Sequence, residues 1–182
     1  SAVIADIGGG TGHYAAWLSE MGHQVILLDP VRKHVLQAKK RSSRSKHAFR
    51  CIEAEARNLP IPANSVDVVI MHGPLYHLQE QAERIAALKE ARRILKTGGV
   101  VIGFAITYAA STLAALQNGM FHHPEISQMC RSALQSGEHA PPPIFPGILP
   151  QAFFHRPDEL VKEFEEAGFI KYGLYAVEGI AW

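Results

Sequence analysis

The chain has 182 residues, with 18 Lys and Arg against 17 Asp and Glu, and is 47% hydrophobic and 19% charged. That balance excludes a disordered chain and describes one soluble globular domain with a full core. No apolar run approaches the roughly 20 residues of a membrane span. The two cysteines, Cys51 and Cys130, have no CxxC spacing, so a reducing, cytoplasmic setting is expected.

There is no initiator methionine, and the first residues already read as a buried strand, so the chain is expected to begin inside a domain. Residues 2–7 form a short apolar run that ends in glycines. A helix over residues 12–21 carries Ala15, Ala16 and Leu18 at helical spacing and stops at Gly22; QVILLD over 24–29 is a second buried strand. Residues 31–42 read as a helix, 48–53 as a third strand and 66–71 as a fourth. NLPIPANS between those strands is an extended connection, because its prolines disfavour helix. A helix over 79–96 shows the stripe Ile85, Leu88, Ala91 and Leu95, and Thr97-Gly98-Gly99 ends it before a fifth strand over 100–107.

The alternation then breaks. Residues 108–155 hold a helix over 111–118, a His-rich stretch and the proline-rich APPPIFPGILP, a pattern expected of a substrate lid or insertion. A helix opens at Arg156-Pro157-Asp158 and stops at Gly168, and 169–177 reads as a sixth strand. Strands alternating with helices predict an α/β, doubly wound, mostly parallel sheet, in which ligands bind beyond the carboxyl ends of the strands.

Those ends carry the informative residues. VIADIGGGTGHYAAWL puts free backbone N–H groups and a helix start at the tip of the first strand, a place suited to polar ligand groups. A dinucleotide fingerprint would need a third glycine where His13 stands, so pyrophosphate is disfavoured. What remains is D-x-G-x-G-x-G, formed by Asp6, Gly8, Gly10 and Gly12, followed by Asp29 at the end of the second strand.

With these residues the chain resembles the class I S-adenosylmethionine-dependent methyltransferases, in a small-molecule branch of the methyltransferase type 11 kind. The segments EAEARNLPIPANSVDVVIMHGPLYHL, FFHRPDELVKEFEEAGF and VEGIAW extend the likeness over nearly the whole chain. The resemblance implies one Rossmann-like domain over 1–182, lacking the helix before the first strand and the antiparallel seventh strand of a full family member. It implies that S-adenosylmethionine is bound by Asp6, Gly8, Gly10, Gly12, Tyr14, Asp29, Pro30, Glu55, Ala56 and His72. Asp29 would accept hydrogen bonds from the ribose hydroxyls, an apt task for an acceptor-only carboxylate. Glu55 would accept from the adenine amino group, with the Ala56 backbone facing the ring.

His72, Tyr76 and His77 follow the fourth strand and are the catalytic candidates, since methyl transfer needs a placed nucleophile and, optionally, a base. Each could equally be a hydrogen-bonded loop residue. Tyr108, His155 and Arg156 are the substrate candidates; Arg156 would suit a carboxylate or phosphate. His122, His123, His139 and His155 fit no zinc spacing, and Met71-His72-Gly73 offers no carboxylate for magnesium, so no metal is expected.

Arg32, Lys33, Lys39, Lys40, Arg41, Arg44, Lys46 and Arg50 stand without an intervening acid, which raises RNA methylation as an alternative. The near-neutral chain favours a solvated face instead. GPLYHL also replaces the Asn/Asp-Pro-Pro-Tyr/Phe signature of methyltransferases acting on base amino groups. A cofactor-binding subunit without catalysis is the remaining alternative. The expected function is methyl transfer to oxygen, nitrogen or carbon of a small molecule.

Overall fold

A computed structural model describes residues 1–145, 147–170 and 173–177. These residues fall into two compact units: one of 1–75 with 80–104, the other of 76–79 with the chain from 105 onward.

In the first unit, β1 (Val3–Ile7), β2 (Gln24–Asp29), β3 (Arg50–Glu53), β4 (Val66–Met71) and β5 (Leu95–Gly103) form one sheet in the order β3-β2-β1-β4-β5. Every pairing is parallel, as expected where helices separate consecutive strands. The helices are α1 (His13–Glu20), α2 (Arg32–Ser42), the short α3 (Pro74–His77), whose Tyr76 and His77 are assigned to the other unit, and α4 (Gln81–Ile94). Ile4, Ala15, Leu18, Val25, Leu27, Ala38 and Phe49 pack as one buried cluster.

The fifth strand departs from expectation. Leu95 continues the apolar stripe of α4, yet the helix ends at Ile94, and Leu95 pairs with Val66. The register shifts between Val66 and Val68, and Gly98 takes φ +79°. The strand therefore spans 95–103, because pairing with β4 outweighs helical periodicity; Thr107 makes only an isolated bridge with His155.

The extended 58–65 connection is held by side chains of α4. Arg93 Nη1 donates to Ile61 O and Nη2 to Leu59 O, both at 2.9 Å, and Glu90 accepts the Leu59 N–H at 2.9 Å.

The second unit contains α5 (Ala110–Gln117), a 3-10 turn (Met120–His122), α6 (Pro124–Ser136), the antiparallel pair β6 (Glu138–His139) and β7 (Ala152–Phe153), and α7 (Pro157–Glu166). The His-rich stretch thus includes a helix that the sequence reading did not anticipate. Pro124 starts α6, Gly137 ends it in the left-handed region, and Ile126, Met129, Cys130 and Ala133 line its buried face. The expected sixth strand does not form at 169–170 or 173–177; Lys171, Tyr172 and the VEGIAW segment from Glu178 lie outside the described residues. No helix among the described residues is long and apolar enough to cross a membrane.

Candidate cofactor-binding site

The parallel register levels the carboxyl ends of the strands. Ile7 lies opposite Leu28 and Met71, and Met71 opposite Gly103. The next residues of the first unit, Gly8, Asp29, His72 and Phe104, therefore emerge in a row. Backbone bonds tie them to their neighbours: Gly8 N–H donates to Leu28 O at 2.8 Å, His72 N–H to Ile7 O at 3.2 Å, and Phe104 N–H to Met71 O at 3.0 Å.

Between Gly8 and α1 the backbone turns through positive φ at Gly8, Gly10 and Gly12. Gly10 requires its glycine for conformation, since φ is +56° and a Cβ there would meet nothing within 4 Å. Its backbone thus faces open space at the strand tip. Gly12 caps α1 against the Phe49 ring and Ala38.

Asp29 is 5% exposed and organises this turn. Its Oδ2 accepts the Gly10 N–H at 3.0 Å; its Oδ1 accepts the Val31 N–H at 2.9 Å and lies 3.2 Å from His34 Nδ1. Pro30, which follows it, is exposed. Beneath the turn, Asp6 is fully buried, and neither carboxyl oxygen has a hydrogen-bond partner among the described residues. A Cβ on Gly9 would fall 2.5 Å from Asp6 Oδ2, so the turn lies directly on this carboxyl. Burial, reinforced by the nearby charge of Asp29, pushes the Asp6 carboxyl up to about 7.

His72 stands between two rings in edge-on contact, Tyr14 at 5.0 Å and Phe104 at 4.5 Å between centroids. Burial lowers its pKa, which favours the neutral imidazole. Glu55 begins a turn in which the Asn58 N–H donates to Glu55 O, with Ala56 half-buried behind it. The Glu55 carboxylate is exposed and bonded to Arg57, whose other nitrogen reaches Glu83. An adenine amino group at Glu55 would share that carboxylate with Arg57.

The remaining candidates belong to the second unit. Tyr76 and His77 lie on α3 with ring centroids 4.7 Å apart, and burial raises the Tyr76 phenol above its usual range. Tyr108 donates its hydroxyl to Glu159 at 3.2 Å, and the Arg156 guanidinium carbon lies 5.0 Å from the Tyr108 ring centroid. Arg156 is exposed, whereas His155 is 2% exposed, with Nε2 3.2 Å from Glu163 Oε2. The structure therefore brings Tyr108 and Arg156 together and turns His155 inward.

The other histidines have separate engagements. His139 lies between Ser111 Oγ and Leu149 O, and the adjacent His122 and His123 rings are 3.9 Å apart. No group of three or more His, Cys, Asp or Glu able to hold a metal occurs among the described residues.

Sequence reasoning missed His34 and Arg41 as neighbours of the glycine turn. His34 could have been found in the first turn of α2, five residues after the strand-end acid. Arg41 was hidden within its basic run.

This strand order, with a glycine turn after β1 and an acid closing β2, is the Rossmann-like fold and motif arrangement of class I S-adenosylmethionine-dependent methyltransferases. Residues 5–103 match the family model described as a methyltransferase domain, and the chain belongs to that family. It is 31% identical over 100 residues to a demethylmenaquinone methyltransferase of Staphylococcus saprophyticus, covering 53% of this chain and 41% of the relative. It is 37% identical over 98 residues to a cypemycin N-terminal methyltransferase of Streptomyces, covering 53% and 38%. The chain thus spans well under half the length of these curated relatives. A solved S-adenosylmethionine-dependent methyltransferase from Methanosarcina mazei shares the fold, with a TM-score of 0.72 and 20% identity over 92% of this chain and 79% of that one.

Proposed function

We propose that the protein is an S-adenosylmethionine-dependent methyltransferase whose first unit binds the cofactor and whose acceptor is a small molecule. The observation that carries this reading is Asp29, which closes β2 and holds the Gly10 amide beside open space. The residues fit the cofactor: Gly8 and Gly10 supply close backbone approach, Asp29 supplies acceptor oxygens for the ribose hydroxyls, and the Asp6 carboxyl, without a hydrogen-bond partner among the described residues, supplies acceptor capacity beneath the turn. When bound, S-adenosylmethionine supplies an activated methyl group on its sulfonium.

The chain's own contribution is placement, the main source of acceleration in a displacement of this kind. Tyr14, His72 and Phe104 form an aromatic wall at the strand ends, and such faces attract cations. A neutral His72 imidazole can accept an acceptor's proton.

The relatives' names indicate acceptors as different as demethylmenaquinone and the N-terminus of cypemycin, while the family match ends at residue 103. That contrast supports acceptor selection by residues beyond it, within 108–155 and at Tyr108 and Arg156, whereas His155 is turned inward to Glu163. RNA is disfavoured as acceptor, and a cytoplasmic setting agrees with the free thiols of Cys51 and Cys130.

Titration calorimetry with S-adenosylhomocysteine tests the reading. The wild type is expected to bind, and Asp29→Ala to bind roughly 10- to 100-fold more weakly, the scale of one or two hydrogen bonds to a charged group. No binding by the wild type, or unchanged binding by Asp29→Ala, overturns it. A cofactor-binding subunit without catalysis would bind equally well but methylate nothing in a broad metabolite screen.

A further inference from the structure

Arg41 occupies the last turn of α2, within the basic run, yet its guanidinium turns back across the first unit. Its Nε donates to Thr11 O at 3.0 Å, and its Nη2 lies 2.9 Å from His13 Nε2. Because a guanidinium is only a donor, that imidazole nitrogen must be the acceptor, which puts the proton of the neutral ring on Nδ1. One planar group therefore grips both residues that flank Gly12, between the glycine turn and α1.

Asp29 restrains the other side of the same turn through the Gly10 N–H. Gly10 has no neighbour within 4 Å of where a side chain would begin. The turn around it is held by backbone bonds of Gly8 and Gly9 to Leu28 O and of Gly12 to Gly9 O, by Asp29 at Gly10, and by Arg41 of α2 at Thr11 and His13. A lysine at position 41 could reach one acceptor, but not both in the fixed geometry of a guanidinium. His13, which stands where a dinucleotide turn would have glycine, thereby gains a task of its own.

We propose that Arg41 is a positioning residue for the cofactor site, bridging Thr11 and His13 so that the glycine turn is preformed for S-adenosylmethionine. This rests on the cofactor reading above. Arg41 and His13 act as one bridge, and neither touches the reacting atoms.

The test is S-adenosylhomocysteine calorimetry on the wild type, Arg41→Ala, Arg41→Lys, His13→Ala and the Arg41→Ala/His13→Ala pair, well below every variant's melting midpoint. Arg41→Ala is expected to weaken binding roughly 2- to 12-fold, the scale of one ordinary hydrogen bond. Arg41→Lys should recover part of that loss, and the double variant should bind like Arg41→Ala alone. Unchanged affinity in Arg41→Ala, or additive losses in the pair, would overturn the proposal even if melting temperatures fell. Should Arg41→Ala not fold, the exposed His13→Ala carries the test: a severalfold loss supports the bridge and an unchanged affinity refutes it. A wild type that does not bind removes the cofactor reading itself, whereas a wild type that binds as Arg41→Ala does removes only the bridge.

Discussion

Asp6 is the most constrained residue of the site, a fully buried carboxyl without a hydrogen-bond partner among the described residues. Burial first, and the charge of Asp29 second, raise it from 3.8 to about 7. A carboxyl raised in the folded state favours folding fully below its unfolded value and progressively loses that contribution as pH rises through the folded one. Wild-type stability relative to Asp6→Asn should therefore decline across that window and level off above it. At about 1.4 kcal/mol per pH unit, the change is of the order of a few kcal/mol, readable by chemical denaturation at a series of pH values. Gly10 allows a paired experiment. Gly10 and Gly22 both have positive φ, and a Cβ at either would meet nothing within 4 Å. Each alanine variant should lose about 1 kcal/mol of stability to left-handed strain. Only Gly10→Ala should also lose S-adenosylhomocysteine affinity, by roughly 2- to 12-fold, as expected where a single ordinary hydrogen bond's worth of contact is lost; equal affinities would argue against close backbone approach at Gly10. Asp6, the glycines and Asp29 were legible in the sequence because the motif joins neighbouring residues at strand ends. His34 and Arg41 were not, since their partners lie five and about thirty residues away.

At the level of elements, β1, β2 and β4 were legible as short apolar runs, the pattern of parallel strands covered on both faces. The start of β5 was not, because Leu95 satisfies a helical stripe and a strand pairing equally well, and only the partner Val66 decides between them. Helix α6 was obscured by neighbouring histidines and prolines although Ile126, Met129, Cys130 and Ala133 keep helical spacing. The 58–65 connection has no ladder of its own and relies on α4. Arg93→Ala should therefore destabilise the protein by about 1–2 kcal/mol, because it strips hydrogen bonds from the Leu59 and Ile61 carbonyls. Urea denaturation measures this, and no loss would mean that water replaces the guanidinium without cost.

On the scale of the molecule, the family match covers the first unit's sheet, whereas Tyr108 and Arg156 belong to the second unit. Arg156→Ala is accordingly expected to leave S-adenosylhomocysteine affinity within about twofold, less than one ordinary hydrogen bond, while lowering turnover of an acceptor once one is found. A large loss of cofactor affinity would contradict this division of labour. The amino-acid sequence by itself determined the parallel α/β class, written in short-range periodicity, and carried the glycine turn and strand-end acids whose resemblance to the methyltransferase family implies the methyl donor. Only the tertiary structure decided that Asp6 has no hydrogen-bond partner among the described residues, that Arg57 holds Glu55, that His155 turns inward to Glu163 and that Arg41 spans Thr11 and His13. Burial and hydrogen-bond partnership depend on which distant segments the sheet and its helices bring together, and local sequence patterns do not encode that choice.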